Sequence, residues 1–354
     1  MKSKKIKLKG ISMFSSGGVA ETYLDEIGIE ILVANELIEE RANFYKHFYP
    51  KSKMITGNIM EKNIYNEFIS EAKKIRPNFL LATPPCQGMS SLGKKDYELD
   101  ERNLLIFSVI DTIKEIDFDF ILIENVPKFF KLFFPFNGEL FGIIPILTNL
   151  FGEKYNIEHY ILNAKNYGVP QSRPRAIIKL YKKNKTWCLP QTQNEITLEQ
   201  AIGHLPSLTP GEKSNIKFHY AMKHNDLQIE AMTHTPEGKS AMINEIYYPK
   251  KINGDRVKGF HNTYKRMKWN TPAPARATNN GLISGHNNVH PGRVKNDGTQ
   301  SDPRVLSLRE LFIVSSLPEE WNIPNDIKES LVRLLIGEAI PPLLLKEILT
   351  TIKI

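Results

Sequence analysis

The chain has 354 residues, 41% hydrophobic and 24% charged, with a net charge of +8. That length allows one large domain plus a smaller one around a full core. No apolar run reaches membrane length, and the Lys-rich start lacks the apolar stretch of a secretory signal, so neither a membrane nor a secreted protein is expected. Two cysteines, Cys86 and Cys188, are too few for a disulfide framework, and no Cys and His set has zinc spacing. A cytoplasmic protein without a metal is expected.

In chain order, apolar runs predict strands at 6–14, 29–34, 53–56, 79–83, 118–123, 157–162 and 176–181. Helical patterns fall between them at 20–27, 37–47, 64–75 and 104–116. This alternation predicts an α/β domain built on a doubly wound, mostly parallel sheet. Periodicity fades from about 187 to 303, a stretch rich in Pro, Gly, Asn, His and Lys that reads as a smaller irregular domain. Helical patterns return at 307–316, 326–335 and 342–352, and this end is expected to pack back on the first domain. The predicted boundaries are 1–184, 185–303 and 304–354. Charge follows the same division: residues 181–303 carry 17 Lys and Arg against 10 Asp and Glu, nearly all of the excess. Such a segment suits a polyanion, although Lys-rich surfaces are common in chains of this composition.

Several strings carry chemistry. After the first strand, Phe14-Ser-Ser-Gly17-Gly18 opens a helix, and its glycines let the backbone approach a cofactor; a plain tight turn is the bland alternative. Glu36 closes the second strand, where a carboxylate can take ribose hydroxyls or simply favour a helix start. Thr83-Pro84-Pro85-Cys86 follows the fourth strand; the prolines stiffen the backbone and hold a potential thiolate nucleophile at the carboxyl edge of the sheet. Glu124 ends an apolar strand, where a carboxyl can hold a proton or act as an ordinary cap. Arg173 and Arg175, two apart in an extended segment, can share a face and suit a phosphate or a carbonyl oxygen, or can be salt-bridge formers.

In this order, Pro84-Pro85-Cys86-Gln87, Glu124-Asn125-Val126 and Gln171-Ser-Arg173-Pro-Arg175 resemble the DNA cytosine-5 methyltransferase family of prokaryotic restriction–modification systems. Arg304-Val-Leu-Ser307-Leu-Arg309-Glu310-Leu311 and Gly337-Glu-Ala-Ile-Pro341-Pro342 extend the resemblance. It implies a Rossmann-like fold dependent on S-adenosylmethionine, with S-adenosylhomocysteine as product and no metal. It implies that Cys86 attacks C6 of a flipped-out cytosine and that Glu124 binds N3 and the amino group. Arg175 with Arg173 would hold O2 and the nearby backbone. Phe14, Gly17, Gly18, Glu36, Leu37, Asn58 and Pro84 would form the cofactor site. Asn58 stands where an Asp often meets the adenine amino group, and Glu338 where an Asn is common.

Residues 185–303 take the position of the family's target-recognition region. Gln87, Ser90, Gln171, Lys265, Arg266 and Arg293 are the expected DNA contacts, with Asn279, Asn280, Asn287 and Asn288 as further candidate readers. Double-stranded DNA is the expected partner of a nucleoid-associated monomer. A cognate restriction endonuclease would be a separate chain. The alternatives are an RNA cytosine-5 methyltransferase, a non-catalytic DNA-binding homologue and a nicotinamide-dependent oxidoreductase. The last gives no reason for the Pro-Pro-Cys element.

Overall fold

The computed structural model describes residues 7–85 and 101–353. They fall into two compact units, one of residues 1–163, 174–191 and 345–354, the other of 164–173 and 192–344. In the first, the strands are β1 (Leu8–Met13), β2 (Ile29–Glu36), β3 (Lys53–Thr56), β4 (Phe79–Ala82), β5 (Phe120–Asn125), β6 (Tyr155–Asn163) and β7 (Pro174–Lys182). They form one sheet in the order β3-β2-β1-β4-β5-β7-β6. β1 to β5 pair in parallel, while β7 runs antiparallel to both β5 and β6. β4 and β5 are buried along their whole length, which is why they read as unbroken apolar runs rather than alternating ones.

Helices cover the sheet through apolar stripes. α1 (Leu24–Ile27) and α2 (Glu39–Phe48) flank β2, and α3 (Lys62–Ile75) buries Phe68, Ile69 and Ala72. α4 (Leu105–Glu115) buries Ile106, Val109, Ile110 and Ile113, the spacing of one helical face. The helix expected over 20–27 is interrupted: a 3₁₀ turn, Val19–Glu21, precedes the four-residue α1, and Gly28 at φ 84° ends it one residue before β2. The hairpin of Phe133–Phe136 and Glu139–Gly142, followed by α5 (Ile143–Phe151), was not expected. Its signal was present: Asn137 and Gly138 both adopt positive φ, the demand of a type I′ turn that Asn-Gly meets.

The second unit holds only short regular elements, as its composition predicts. They include α6 (Leu198–Ile202), α7 (Asp226–Thr233), α8 (Leu308–Val314) and α9 (Glu329–Glu338). Ser307 and Glu310 form a reciprocal capping box at the start of α8.

Residues 304–344 group with the second unit, and only 345–354 join the sheet unit. Buried polar ties explain this. Fully buried Arg304 pairs with Asp302 at 2.8 Å and Glu310 at 2.7 Å, and Arg333 bonds the Leu306 carbonyl and the Asn280 side chain. The final residues are held by Trp187, whose indole donates to the Ile348 carbonyl, and by pairing of Thr186–Trp187 with Ile352–Lys353. Among the described residues, no helix is long and apolar enough to cross a membrane.

Candidate active site

The carboxyl edge of the sheet gathers most of the candidate residues of the first unit. After β1 the chain turns sharply, with Phe14, Ser16 and Gly18 at φ 62°, 49° and 75°. The turn is fixed by bonds to the end of β2. The Ser15 amide donates to the Asn35 carbonyl at 3.0 Å and the Ser16 amide to Glu36 Oε2 at 2.9 Å. Tyr49 donates to the Gly18 carbonyl at 2.7 Å. A side chain at position 18 would meet a Tyr49 ring carbon at 2.3 Å, so glycine is required by space as well as by φ.

Glu36 also accepts from the Ile38 amide at 2.9 Å, which leaves each carboxylate oxygen with further acceptor capacity. Beside it Leu37 is 61% and Ile38 41% exposed. An anchored acceptor next to exposed apolar surface fits a nucleoside, the hydroxyls on the carboxylate and the base against the apolar side chains. Asn58 Oδ1 accepts from the Met60 amide at 3.0 Å.

Behind this turn lies a group the sequence reading missed. Glu21 is buried and accepts from Tyr45 at 2.6 Å, and Tyr45 in turn touches Ser52. Burial pushes the Glu21 carboxyl up to about 7, against the lowering effect of the Ser12 and Tyr45 hydroxyls. A folded pKa above the unfolded value means that the fold prefers the protonated acid. Stability is therefore full below about pH 4.5 and is lost as pH rises through about 7. Glu21→Gln should be insensitive in this window. Its stability advantage over the parent, followed by denaturant unfolding against pH, should grow to on the order of 3 kcal/mol above pH 7. Parallel curves would contradict this assignment.

After β4, Thr83 bonds the Phe14 carbonyl at 3.0 Å, and the Pro84 carbonyl accepts from the Asn125 side chain at 3.0 Å. Asn125 Oδ1 accepts from the Val126 amide at 2.8 Å. One carboxamide thus fastens the segment leading to Cys86 against the end of β5, a role the motif alone did not disclose. Cys86, Gln87 and Ser90 themselves lie outside the described residues.

Glu124 is the penultimate residue of β5 and Arg175 the second of β7. Ile177 pairs with Glu124 in register, so Arg175 is a diagonal neighbour on the same face. Arg175 Nε meets Glu124 Oε1 at 2.7 Å, both side chains about nine-tenths buried. Burial lowers the Arg175 pKa from its usual value, and Glu124 opposes that shift. Burial of a carboxyl favours its neutral form, whereas a guanidinium at this range favours the charged one. The pair is an ion pair at a sheet edge.

Arg173 does not share that engagement. Its guanidinium donates to the carbonyls of Arg276 at 2.5 Å and Gly337 at 2.6 Å, tying segments of the second unit together. Gln171 is buried, donating to Val314 and Ser315 and accepting from the Arg276 amide. Arg266 is buried on the carbonyls of Met232, His290 and Asp302. Asn280 and Asn288 are likewise buried on backbone carbonyls. Lys265 is partly exposed; Arg293 is exposed, paired with Glu199 at 2.7 Å and stacked over Trp269. Among the described residues, no group of three or more His, Cys, Asp or Glu side chains is placed to hold a metal ion.

Five parallel strands extended by an antiparallel strand, with a carboxylate closing the second, make this an α/β methyltransferase fold. The C-5 cytosine-specific DNA methylase family model matches residues 8–354, and the chain belongs to that family. It is 48% identical over 348 residues to the Type II methyltransferase M1.HgaI of Avibacterium volantium, covering 97% of this chain and 98% of the relative. It is 25% identical to the Type II methyltransferase M1.HphI of Haemophilus parahaemolyticus, covering 97% and 86%. The fold is similar to an E. coli prophage-encoded protein described as a DNA modification methyltransferase (TM-score 0.69, 18% identity, 98% of both chains). It is also similar to a mutant of Spodoptera frugiperda DNMT2 (TM-score 0.63, 17% identity, 97% and 98% covered). The chain is a DNA cytosine-5 methyltransferase of the Type II restriction–modification kind.

Proposed function

We propose that this enzyme methylates carbon 5 of a cytosine swung out of duplex DNA, through a transient bond between Cys86 and C6, and that this marks host DNA against a cognate endonuclease. The observation that carries the reading is the buried Glu124–Arg175 pair, with Glu124 on β5 next to β4, the strand that leads into Pro84-Pro85. C5 of intact cytosine is a poor nucleophile. Addition of the thiolate to C6 makes C5 nucleophilic, and C5 takes the methyl group as the donor's methyl–sulfur bond breaks and its thioether leaves. A base then takes the C5 proton, and the electrons of that bond expel the Cys86 sulfur as thiolate and restore the ring. Glu124 would hold N3 and the exocyclic amine while Arg175 faces O2, stabilising charge as it develops. The reacting atoms are hidden in stacked DNA, so the base must leave the stack.

S-adenosylmethionine would supply the methyl group as a sulfonium. Glu36 would take its ribose, Leu37 its adenine, and the Phe14–Gly18 turn would approach its methionine portion. Gln87, Ser90, Lys265 and Arg293 remain proposed DNA contacts, in a cytoplasmic enzyme acting at the nucleoid. Arg173, whose guanidinium also donates to the carbonyls of Arg276 and Gly337, would support Arg175 at the cytosine. Bisulfite sequencing of a plasmid carried with the gene tests the reading. Protected cytosines should fall in one short sequence context; a fully converted plasmid, with folded protein present, would overturn it.

A further inference from the structure

Next to the turn that follows β1 sits an acid with one oxygen unpartnered. Glu21 is buried, and its amide donates to the Gly18 carbonyl at 3.0 Å. Tyr45 donates to its Oε2 at 2.6 Å, whereas Oε1, among the described residues, is buried without a hydrogen-bond partner. The packing here is tight. A Cβ at Gly18 would meet the Tyr45 ring at 2.8 Å and the Tyr49 ring at 2.3 Å, and the two ring centres lie 4.6 Å apart. The tyrosines thus touch both the turn and the acid: Tyr49 bonds the Gly18 carbonyl at 2.7 Å and Tyr45 the carboxyl. The groups around Glu21 supply hydroxyls and no positive charge. They are Ser12 on β1 and Tyr45 and Tyr49 on α2, with Ser52 behind Tyr45. Burial holds both tyrosines well above their ordinary range, so they are neutral near pH 7, and Asp25 on α1 bears on Tyr49.

A buried carboxyl without a countercharge is costly to ionise, and a positive charge brought close lowers that cost. The methyl donor differs from the product in one charge: its sulfonium is a cation, and the thioether left after transfer is neutral. We propose that Glu21 makes the cofactor site select donor over product, its carboxylate favouring the sulfonium and leaving the thioether unaffected. This rests on the reading that S-adenosylmethionine lies against the Phe14–Gly18 turn. By linkage, the donor promotes loss of the Glu21 proton to solvent. It therefore gains affinity as pH rises through about 7, where burial places this acid.

The test titrates full-length enzyme calorimetrically with S-adenosylmethionine and with S-adenosylhomocysteine between about pH 6 and about pH 8. The ratio of product Kd to donor Kd should rise about fivefold more in the parent than in Glu21→Gln, with the product Kd alike in the two proteins. Tyr45→Phe removes a hydroxyl that favours ionisation, so it should move the midpoint of that rise to higher pH. An analogue with a protonated amine in place of the sulfonium should follow the donor. An equal change of the ratio in parent and Glu21→Gln would overturn the inference and leave the cofactor reading standing. So would an equal weakening of donor and product in Glu21→Gln, the mark of a purely structural acid. A folded parent that binds neither ligand at any pH would instead sink the cofactor reading itself.

Discussion

Cys86→Ser should form no covalent adduct with 5-fluorocytosine DNA in the presence of S-adenosylmethionine, and its methylation rate should fall by at least about 10³-fold. A hydroxyl is far less ionised than a thiol near neutral pH and adds poorly to C6. The approach to position 86 is well fixed: Thr83 is bonded to the Phe14 carbonyl, and Pro84 is buried with its carbonyl held by Asn125. The variant should therefore bind DNA and methyl donor as the parent does. An adduct formed by Cys86→Ser, resolved by denaturing electrophoresis, would show that another group is the nucleophile.

Arg175→Ala should lower turnover on DNA by about 10²-fold or more and leave the Kd for S-adenosylmethionine nearly unchanged. It should also destabilise the fold by on the order of 3–5 kcal/mol, because it removes the guanidinium paired with a buried carboxylate. Glu124→Gln should cost about 10²- to 10⁴-fold in turnover, in the range of a lost positioned acid–base group. The two changes are coupled. With Glu124→Gln already in place, Arg175→Ala no longer abandons a buried charge, so the double variant should be more stable than Arg175→Ala alone. Single-turnover kinetics with titration of the methyl donor separates these effects. A large loss of donor affinity in Arg175→Ala would contradict the role assigned to that arginine.

The fold was legible where local pattern and tertiary environment agree. β4 and β5 are buried on both faces, so hydrophobicity alone marks them, and α3 and α4 carry clean apolar faces. The helix over 20–27 failed because the chain there serves the turn: Glu21 faces inward to Tyr45, which a surface-helix pattern does not anticipate. Glu124 and Arg175, singled out from separate strings, meet because each lies near a strand end on one face of the sheet. Polar residues of the middle segment were not. Arg266, Asn280 and Asn288 have the composition of a DNA-facing surface, yet a unit with few regular elements satisfies its backbone carbonyls with side chains, and these three serve that purpose. Basic charge in a loop-rich region thus counts interior struts together with solvated side chains. Exposure separates them: Lys251 and Lys258 stand in solvent, whereas Arg266 and Arg276 are enclosed.

The central claim is the position of the transferred methyl group. Purified enzyme is incubated with duplex DNA and S-adenosylmethionine carrying an isotopic methyl label, and the DNA is digested to nucleosides and separated by mass. The label should appear in 5-methyldeoxycytidine. Label on an exocyclic nitrogen of cytosine or adenine, or unlabelled DNA beside labelled tRNA in a parallel reaction, would contradict the account.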